Sequence, residues 1–218
     1  MDGVKVYKQT KYTSNNRVVQ YLNRVYLRNI TYLVQRAKPM RLLDVGCGEG
    51  VVLRHLDRHL RGVTAVGLDV DGTGLRVAQS QNSVSLVQGS IYSLPCAARS
   101  FDLVLCCEVL EHVNQPHVAL AELARVSSCH VLLSVPNEPI WRMSNMTRGK
   151  YLRHFGNTTG HIQHWTRWSF LNLVREHFDV IEVRTWLPFW SMLLGRITSP
   201  VRHPSTAESV PTSARALV

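Results

Sequence analysis

The sequence predicts an α/β protein in which a mostly parallel sheet is covered by helices on both faces. Short runs that are apolar throughout, "RLLDV", "VTAVGLD", "VSLVQ", "FDLVLCC" and "HVLLSV", alternate with amphipathic runs of helical period. Strands that are apolar on both faces lie inside a sheet, and helical connections between them favour a parallel order. The 218 residues suffice for one well-buried domain with additions.

The N-terminal segment, residues 1–40, is basic and helical. Its apolar residues recur every three or four positions from Val18 to Val34, which predicts an amphipathic helix with Ser14 or Asn15 as its cap.

The main domain is expected at residues 41–198. Its helices are predicted at residues 51 to about 60, 73–81 and 116–126, and after a cap at Thr166; "FDVIEVRT" is a further strand. Residues 136–164 lack a clean period and are rich in aromatic and basic residues, so we interpret them as a lid over the substrate. Residues 199–218 are rich in Ser, Pro and Ala, which predicts a disordered tail.

The apolar segment "WLPFWSMLLGRI" leaves three interpretations open. It could be a closing strand, a core helix, or a surface that contacts lipid or an apolar substrate.

The formal charge of +10 is unevenly distributed. Residues 1–41 hold nine Lys and Arg against one acid, whereas residues 42–139 hold six against ten. Basic segments beside an acidic centre could attract RNA, anionic lipid or an acidic substrate, or could be solvated helix faces.

Cysteine usage and the N-terminus bear on localisation. The five cysteines sit mostly in apolar runs without C-x-x-C spacing, which indicates buried thiols in a reducing compartment. No secretory signal and no run of membrane-spanning length is evident. We expect a cytoplasmic protein, with peripheral membrane contact as an alternative.

A glycine-rich loop follows the first predicted strand. In "LLDVGCGEG" the glycines have G-x-G-x-G spacing, and Val51 stands where a dinucleotide fingerprint would place its third glycine. With Asp69 closing the second strand, the order of motifs from Arg41 to Asn137 resembles the class I S-adenosylmethionine (SAM)-dependent methyltransferases.

This resemblance implies a Rossmann-like three-layer α/β/α sandwich with a seven-stranded sheet, and SAM as cofactor. Asp44 would order the loop, Asp69 would accept hydrogen bonds from the ribose hydroxyls, and Ser90 replaces an Asp that commonly bonds adenine. The implied cofactor-binding residues are Asp44, Gly46, Cys47, Gly48, Gly50, Asp69, Val70, Ser90, Ile91 and Glu108.

Three chemically active side chains follow the fourth strand in "CEVLEHV". If a helical turn begins there, Glu108, Glu111 and His112 lie on one face at the ligand-binding edge of the sheet. The simpler alternative is that the carboxylates stabilise the first turn of a helix.

A late histidine, His161 in "GHIQHWTRWSF", extends this pattern. The combination resembles the small-RNA 3′-terminal 2′-O-methyltransferases, and its first half resembles the quinone-pathway O-methyltransferases. The resemblance implies Glu108, Glu111, His112 and His161 as ligands of a divalent cation, with Mg²⁺, Mn²⁺, Fe²⁺ or Zn²⁺ as candidates. Without a metal, His112 or His161 could act as general base. His154 and His164 are weaker candidates.

Three functions follow from these patterns. The leading hypothesis is SAM-dependent O-methylation of a small or lipid-like molecule, assisted by a divalent metal. The alternatives are 2′-O-methylation of a terminal RNA ribose, and a non-catalytic module that binds SAM or a partner.

Overall fold

The computed structural model describes residues 14–59, 62–147, 155, 157–158, 160–185 and 189–197. Its helices are α1 (Arg17–Ala37), α2 (Val51–Asp57), α3 (Gly72–Gln81), α4 (Pro116–Val126), α5 (Glu138–Thr147) and α6 (Arg167–Arg175). Its strands are β1 (Arg41–Val45), β2 (Thr64–Asp69), β3 (Ser85–Gln88), β4 (Phe101–Cys107), β5 (Ser127–Pro136), β6 (Phe178–Arg184) and β7 (Trp190–Ile197). The predicted tail and His154 lie outside the described residues.

The strands of the described residues form one seven-stranded sheet in the order β3-β2-β1-β4-β5-β7-β6. The first five strands pair in parallel, and β7 lies antiparallel between β5 and β6. On one face α4 and α6 contribute to an apolar cluster, and α1 and α2 contribute to a second cluster. The predicted mostly parallel α/β fold with helices on both faces is therefore confirmed.

Helix α1 begins after a different cap from those predicted. Asn16, not Ser14 or Asn15, is the N-cap, because its side-chain oxygen accepts hydrogen bonds from the amides of Val18 and Val19 at 2.8 and 3.3 Å. The buried face lies further along the helix and consists of Asn23, Val25, Tyr26, Ile30, Leu33 and Val34. The arginines of this helix are exposed.

Part of the predicted irregular insert is helix α5. Glu138 and Asn145 are buried and Trp141 is half-buried, so the buried face repeats at the i, i+3 and i+7 positions of a helix. Two of these three residues are polar, and a search for apolar periodicity therefore passes over them.

The apolar segment near the C-terminus forms the closing strand. In β7 the side chains of Trp190, Met192, Leu193 and Leu194 are buried within the two clusters. The core-helix alternative is wrong, and these four side chains are not a surface for lipid. None of the helices in the described residues has both the length and the apolar character needed to cross a membrane.

The cysteines are free thiols, as expected. Cys47, Cys106 and Cys107 are buried, whereas Cys129 is exposed. Burial raises the pKa of the Cys106 and Cys107 thiols, which keeps both protonated and unreactive.

The cap of α1 gives a direct test of the fold. Asn16→Ala should lower the free energy of unfolding by about 1 kcal/mol, because two amides of the first turn lose their acceptor. The neighbouring exposed Asn15→Ala is the matched control and should leave the urea midpoint unchanged. Equal effects of the two substitutions would contradict the assignment of the cap.

Candidate active site

The glycine-rich loop between β1 and α2 is held tightly against its neighbours. Gly46, Gly48 and Gly50 have φ angles of 79°, 52° and 70°, a region that favours glycine. The Gly46 amide donates to the carbonyl oxygen of Leu68 at 2.7 Å. A Cβ atom at Gly46 would lie 2.3 Å from Cγ2 of Val109, so the loop and the turn after β4 require glycine for their close approach.

Asp69, at the end of β2, organises this loop. Its two carboxylate oxygens accept hydrogen bonds from the amides of Gly48 and Asp71 at 2.7 and 2.8 Å. Each oxygen keeps acceptor capacity for a further donor, so the predicted contact with ribose hydroxyls is compatible with this arrangement. The neighbouring Val70 exposes its side chain, and its carbonyl accepts a hydrogen bond from Nε2 of Gln88.

Asp44 lies buried at the end of β1, beneath the loop. Its Oδ2 atom has no hydrogen-bond partner among the described residues. Burial, and secondarily the charge of Asp69, raise the pKa of Asp44 to about 7. A buried carboxyl group whose oxygen has no hydrogen-bond partner is suited to a site that binds a positively charged ligand.

The turn after β3 carries Ser90 and Ile91, the residues that were predicted to contact adenine. Oγ of Ser90 accepts a hydrogen bond from the amide of Tyr92 at 3.2 Å, and Ile91 packs against the core. The hydroxyl of Tyr92 accepts hydrogen bonds from the amides of Asn114 and Gln115 at 2.8 and 3.3 Å. Tyr92, which the sequence analysis missed, therefore joins this turn to the start of α4.

Glu108 does not join the other residues of the "EVLEH" motif. Its φ angle is 60°, and its Oε2 atom accepts a hydrogen bond from Nε1 of Trp190 at 3.1 Å. The helical turn that follows covers only Leu110–His112 and leaves Glu108 outside. The expectation that one turn places Glu108, Glu111 and His112 on a common face is therefore wrong, because the left-handed residue directs the first carboxylate towards β7.

Glu111, His112 and His161 do come together. Each offers a donor atom, and these atoms all lie within 4.8 Å of one another. Nδ1 of His112 donates to the carbonyl of Gly160 at 2.9 Å, and Nδ1 of His161 donates to Oε1 of Glu138 at 2.9 Å. In a neutral imidazole this makes Nε2 the nitrogen that carries the lone pair, as in histidines that bind metals.

Backbone hydrogen bonds hold the end of the insert against this turn. The carbonyl oxygen of Glu111 accepts from the amides of Ile162 and Gln163 at 2.9 and 3.1 Å. Nε2 of Gln163 donates to the carbonyl of Val113 at 3.2 Å. The approach of His161 to His112 therefore does not depend on side chains alone.

Glu138 is a further candidate site residue that sequence reasoning missed. It is buried at the start of α5, its Oε2 atom has no hydrogen-bond partner among the described residues, and Oε1 also lies 3.7 Å from Nδ1 of His164. The sequence feature that could have identified Glu138 is its position as an acidic residue near the start of an insert that ends in histidines. It was passed over because the insert was interpreted as irregular. His164 is partly exposed and lies outside the group of donor atoms.

The raised pKa of Asp44 predicts a pH dependence of stability. Unfolding returns this pKa from about 7 to its ordinary value of 3.8, so Asp44 destabilises the ligand-free fold increasingly as pH rises between these values. Asp44→Asn should therefore gain stability relative to wild type across this window, by up to roughly 4 kcal/mol at about 1.4 kcal/mol per pKa unit.

Urea unfolding of both proteins between about pH 4 and pH 8 measures this difference. Comparison with the difference at the acidic end removes effects of the substitution that do not depend on pH. A difference that stays constant across the range would contradict the raised pKa.

Comparison with known proteins places the chain in a family. Residues 18–183 match the family model described as "Methyltransferase domain". A ubiquinone biosynthesis O-methyltransferase of Hahella chejuensis is 42% identical over 93 residues, covering 40% of this chain and 38% of that protein. Its counterpart in Actinobacillus pleuropneumoniae is 29% identical over 136 residues, covering 56% and 55%. This chain thus spans about half or less of the length of these relatives.

A solved structure supports the fold over a longer range. Magnesium protoporphyrin IX methyltransferase of Synechocystis, solved with bound SAH, superposes with a TM-score of 0.67 at 15% identity, covering 87% of this chain and 92% of that one. Similarity at this level shows the fold alone. Since the family model covers most of the chain, the protein belongs to the class I SAM-dependent methyltransferases.

Proposed function

We propose that the protein transfers the methyl group of SAM to a hydroxyl oxygen of an apolar small or lipid-like molecule, with the assistance of a divalent cation. The observation that carries this proposal is the meeting of Glu111, His112 and His161 at the carboxyl edge of the sheet, where α/β proteins bind ligands. The names of the two ubiquinone O-methyltransferases support oxygen as the acceptor atom.

The residues beneath the glycine-rich loop fit SAM. The positive φ angles of the loop allow the backbone to approach a ligand closely. Asp69 offers carboxylate oxygens suited to the ribose diol, and Asp44 offers a buried oxygen without a partner among the described residues. When bound, SAM supplies an electrophilic methyl group on a sulfonium, and its positive charge suits these carboxylates.

One carboxylate and two imidazoles fit a divalent transition metal. This donor set suits Zn²⁺, Fe²⁺ or Mn²⁺ better than Mg²⁺, which prefers oxygen ligands. When bound, the cation would lower the pKa of the acceptor hydroxyl and orient it. The ligand set we propose is Glu111, His112 and His161. Glu108, whose carboxylate accepts a hydrogen bond from Trp190, is not part of it.

The protein's own residues supply alignment and a route for the proton. Glu138 accepts the Nδ1 hydrogen of His161 and so fixes the orientation of that ring. When no cation is bound, the lone pair on Nε2 of His161 is free to accept the proton of the acceptor hydroxyl instead, and His161 then acts as general base. Because methyl transfer is a displacement, alignment of the hydroxyl with the donor supplies a large part of the rate.

The insert provides an apolar surface for the acceptor. Its exposed apolar residues, with those that follow it, are Met143, Met146, Phe155, Ile162 and Trp168. Exposed apolar side chains that cluster in one segment of a soluble domain are typical of binding surfaces. These exposed side chains favour an apolar acceptor. They are a better candidate for the substrate-binding surface than strand β7, whose apolar side chains are buried.

The metal proposal predicts a difference between two neighbouring histidines. His161→Ala and Glu111→Gln should each lower turnover by about 100-fold or more, because both remove a donor that positions the acceptor hydroxyl. His164→Ala is the matched control, since His164 faces the same Glu138 from outside the donor group, and it should stay close to wild type.

Turnover with and without a chelator then separates the two roles of His161. Wild-type turnover should fall on chelation and recover with added Mn²⁺ or Zn²⁺. If chelation has no effect but His161→Ala still does, His161 acts as a base and the cation is not involved. If SAM fails to bind in calorimetry, the result favours the non-catalytic, partner-binding alternative instead.

RNA ribose methylation is the second candidate, and one observation favours it. Helix α1 carries no acidic residue, and it exposes the arginines Arg17, Arg24, Arg28 and Arg36. Binding of a short single-stranded RNA through several such contacts should weaken by orders of magnitude as salt rises from about 50 to 200 mM. Absence of RNA binding at the lower salt concentration would exclude this candidate.

A further inference from the structure

A second group of metal-type donors lies on the surface and shares no residue with the candidate active site. His117 lies in the first turn of α4, Glu176 is the C-cap of α6, and His177 directly precedes β6. Their donor atoms all lie within 4.8 Å of one another.

The distances within this group match the spacing of ligands around a tetrahedral ion. Nδ1 of His117 lies 3.2 Å from Nε2 of His177 and 3.7 Å from Oε2 of Glu176. Metal–ligand bonds of about 2.0–2.1 Å in a tetrahedron place neighbouring ligand atoms about 3.3 Å apart. A hydrogen bond between the two rings would explain the first distance, but it would not require the carboxylate as a third donor.

The backbone that carries these donors is anchored in the core. Helices α4 and α6 and the start of β6 bury Leu120, Val174 and Phe178 in one apolar cluster. The side chains of His117 and Glu176 are 58% and 61% exposed, so an ion can reach them from solvent. The site therefore combines rigid supports with open access.

We propose that His117, Glu176 and His177 bind one divalent transition-metal ion of the Zn²⁺ type through Nδ1, a carboxylate oxygen and Nε2. The remaining position of the tetrahedron is open to water. The ion links the first turn of α4 to the end of α6, the helix that follows the His161 segment, and it stabilises the folded state because the unfolded chain lacks the assembled site.

Equilibrium dialysis of the 218-residue protein against Zn²⁺ tests this proposal. The His161→Ala substitution weakens binding of the proposed active-site cation, and a protein that carries it should still bind the surface ion. His117→Ala and the isosteric Glu176→Gln should each remove one bound equivalent. His59→Ala, which changes an exposed histidine outside both groups, should not change the stoichiometry.

Nitrogen-15 NMR of the histidine side chains identifies the atoms. In the His161→Ala background, Zn²⁺ should shift Nδ1 of His117 and Nε2 of His177. The thermal midpoint of this protein should rise with Zn²⁺, and the rise should be lost when His117→Ala is added. The proposal is overturned if adding His117→Ala or Glu176→Gln to the His161→Ala protein removes no bound Zn²⁺, or if Zn²⁺ leaves Nδ1 of His117 and Nε2 of His177 unshifted. Neither result depends on whether the protein catalyses methyl transfer.

Discussion

The carbonyl oxygen of Glu111 accepts two backbone hydrogen bonds, from Ile162 and Gln163, and the rest of the candidate site depends on this junction. It joins the turn after β4 to the end of an insert some fifty residues later in the chain. His161 consequently lies beside His112, with ring centroids 5.0 Å apart, and reaches Glu138 at the start of the same insert. The insert is therefore fixed at both its first and its last turn.

Burial of carboxyl groups is the second constraint on this edge of the sheet. Asp44, Glu111 and Glu138 are each almost wholly shielded from solvent, with exposures of 2%, 2% and 4%. Burying a carboxylate is costly unless a cation or several donors compensate it. The positive charge of a SAM sulfonium suits such a site, and the proposed divalent cation would add to it.

Much of the fold could be predicted from the sequence because its local signals agree. Strands that are apolar on both faces, the G-x-G-x-G loop and Asp69 all lie where the alternating pattern predicted them. The proximity of His161 to the "EVLEH" motif could be predicted only through resemblance, because no local signal specifies a contact across fifty residues.

Two features were out of reach for identifiable physical reasons. The direction of the Glu108 side chain depends on a left-handed φ angle at a single residue that is not glycine, and no periodicity reports such a conformation. Helix α5 was missed because the polar Glu138 and Asn145 occupy its buried face. Both failures lie at the candidate site, where chemistry rather than packing decides which residues are buried.

A crystal structure of the protein with S-adenosylhomocysteine and Mn²⁺ tests the central claim most directly. The account predicts an anomalous peak at bonding distance from Glu111, His112 and His161, with the cofactor seated on the glycine-rich loop and its sulfur facing that peak. A cofactor bound on the loop with no anomalous density among these three side chains would contradict the metal-assisted mechanism.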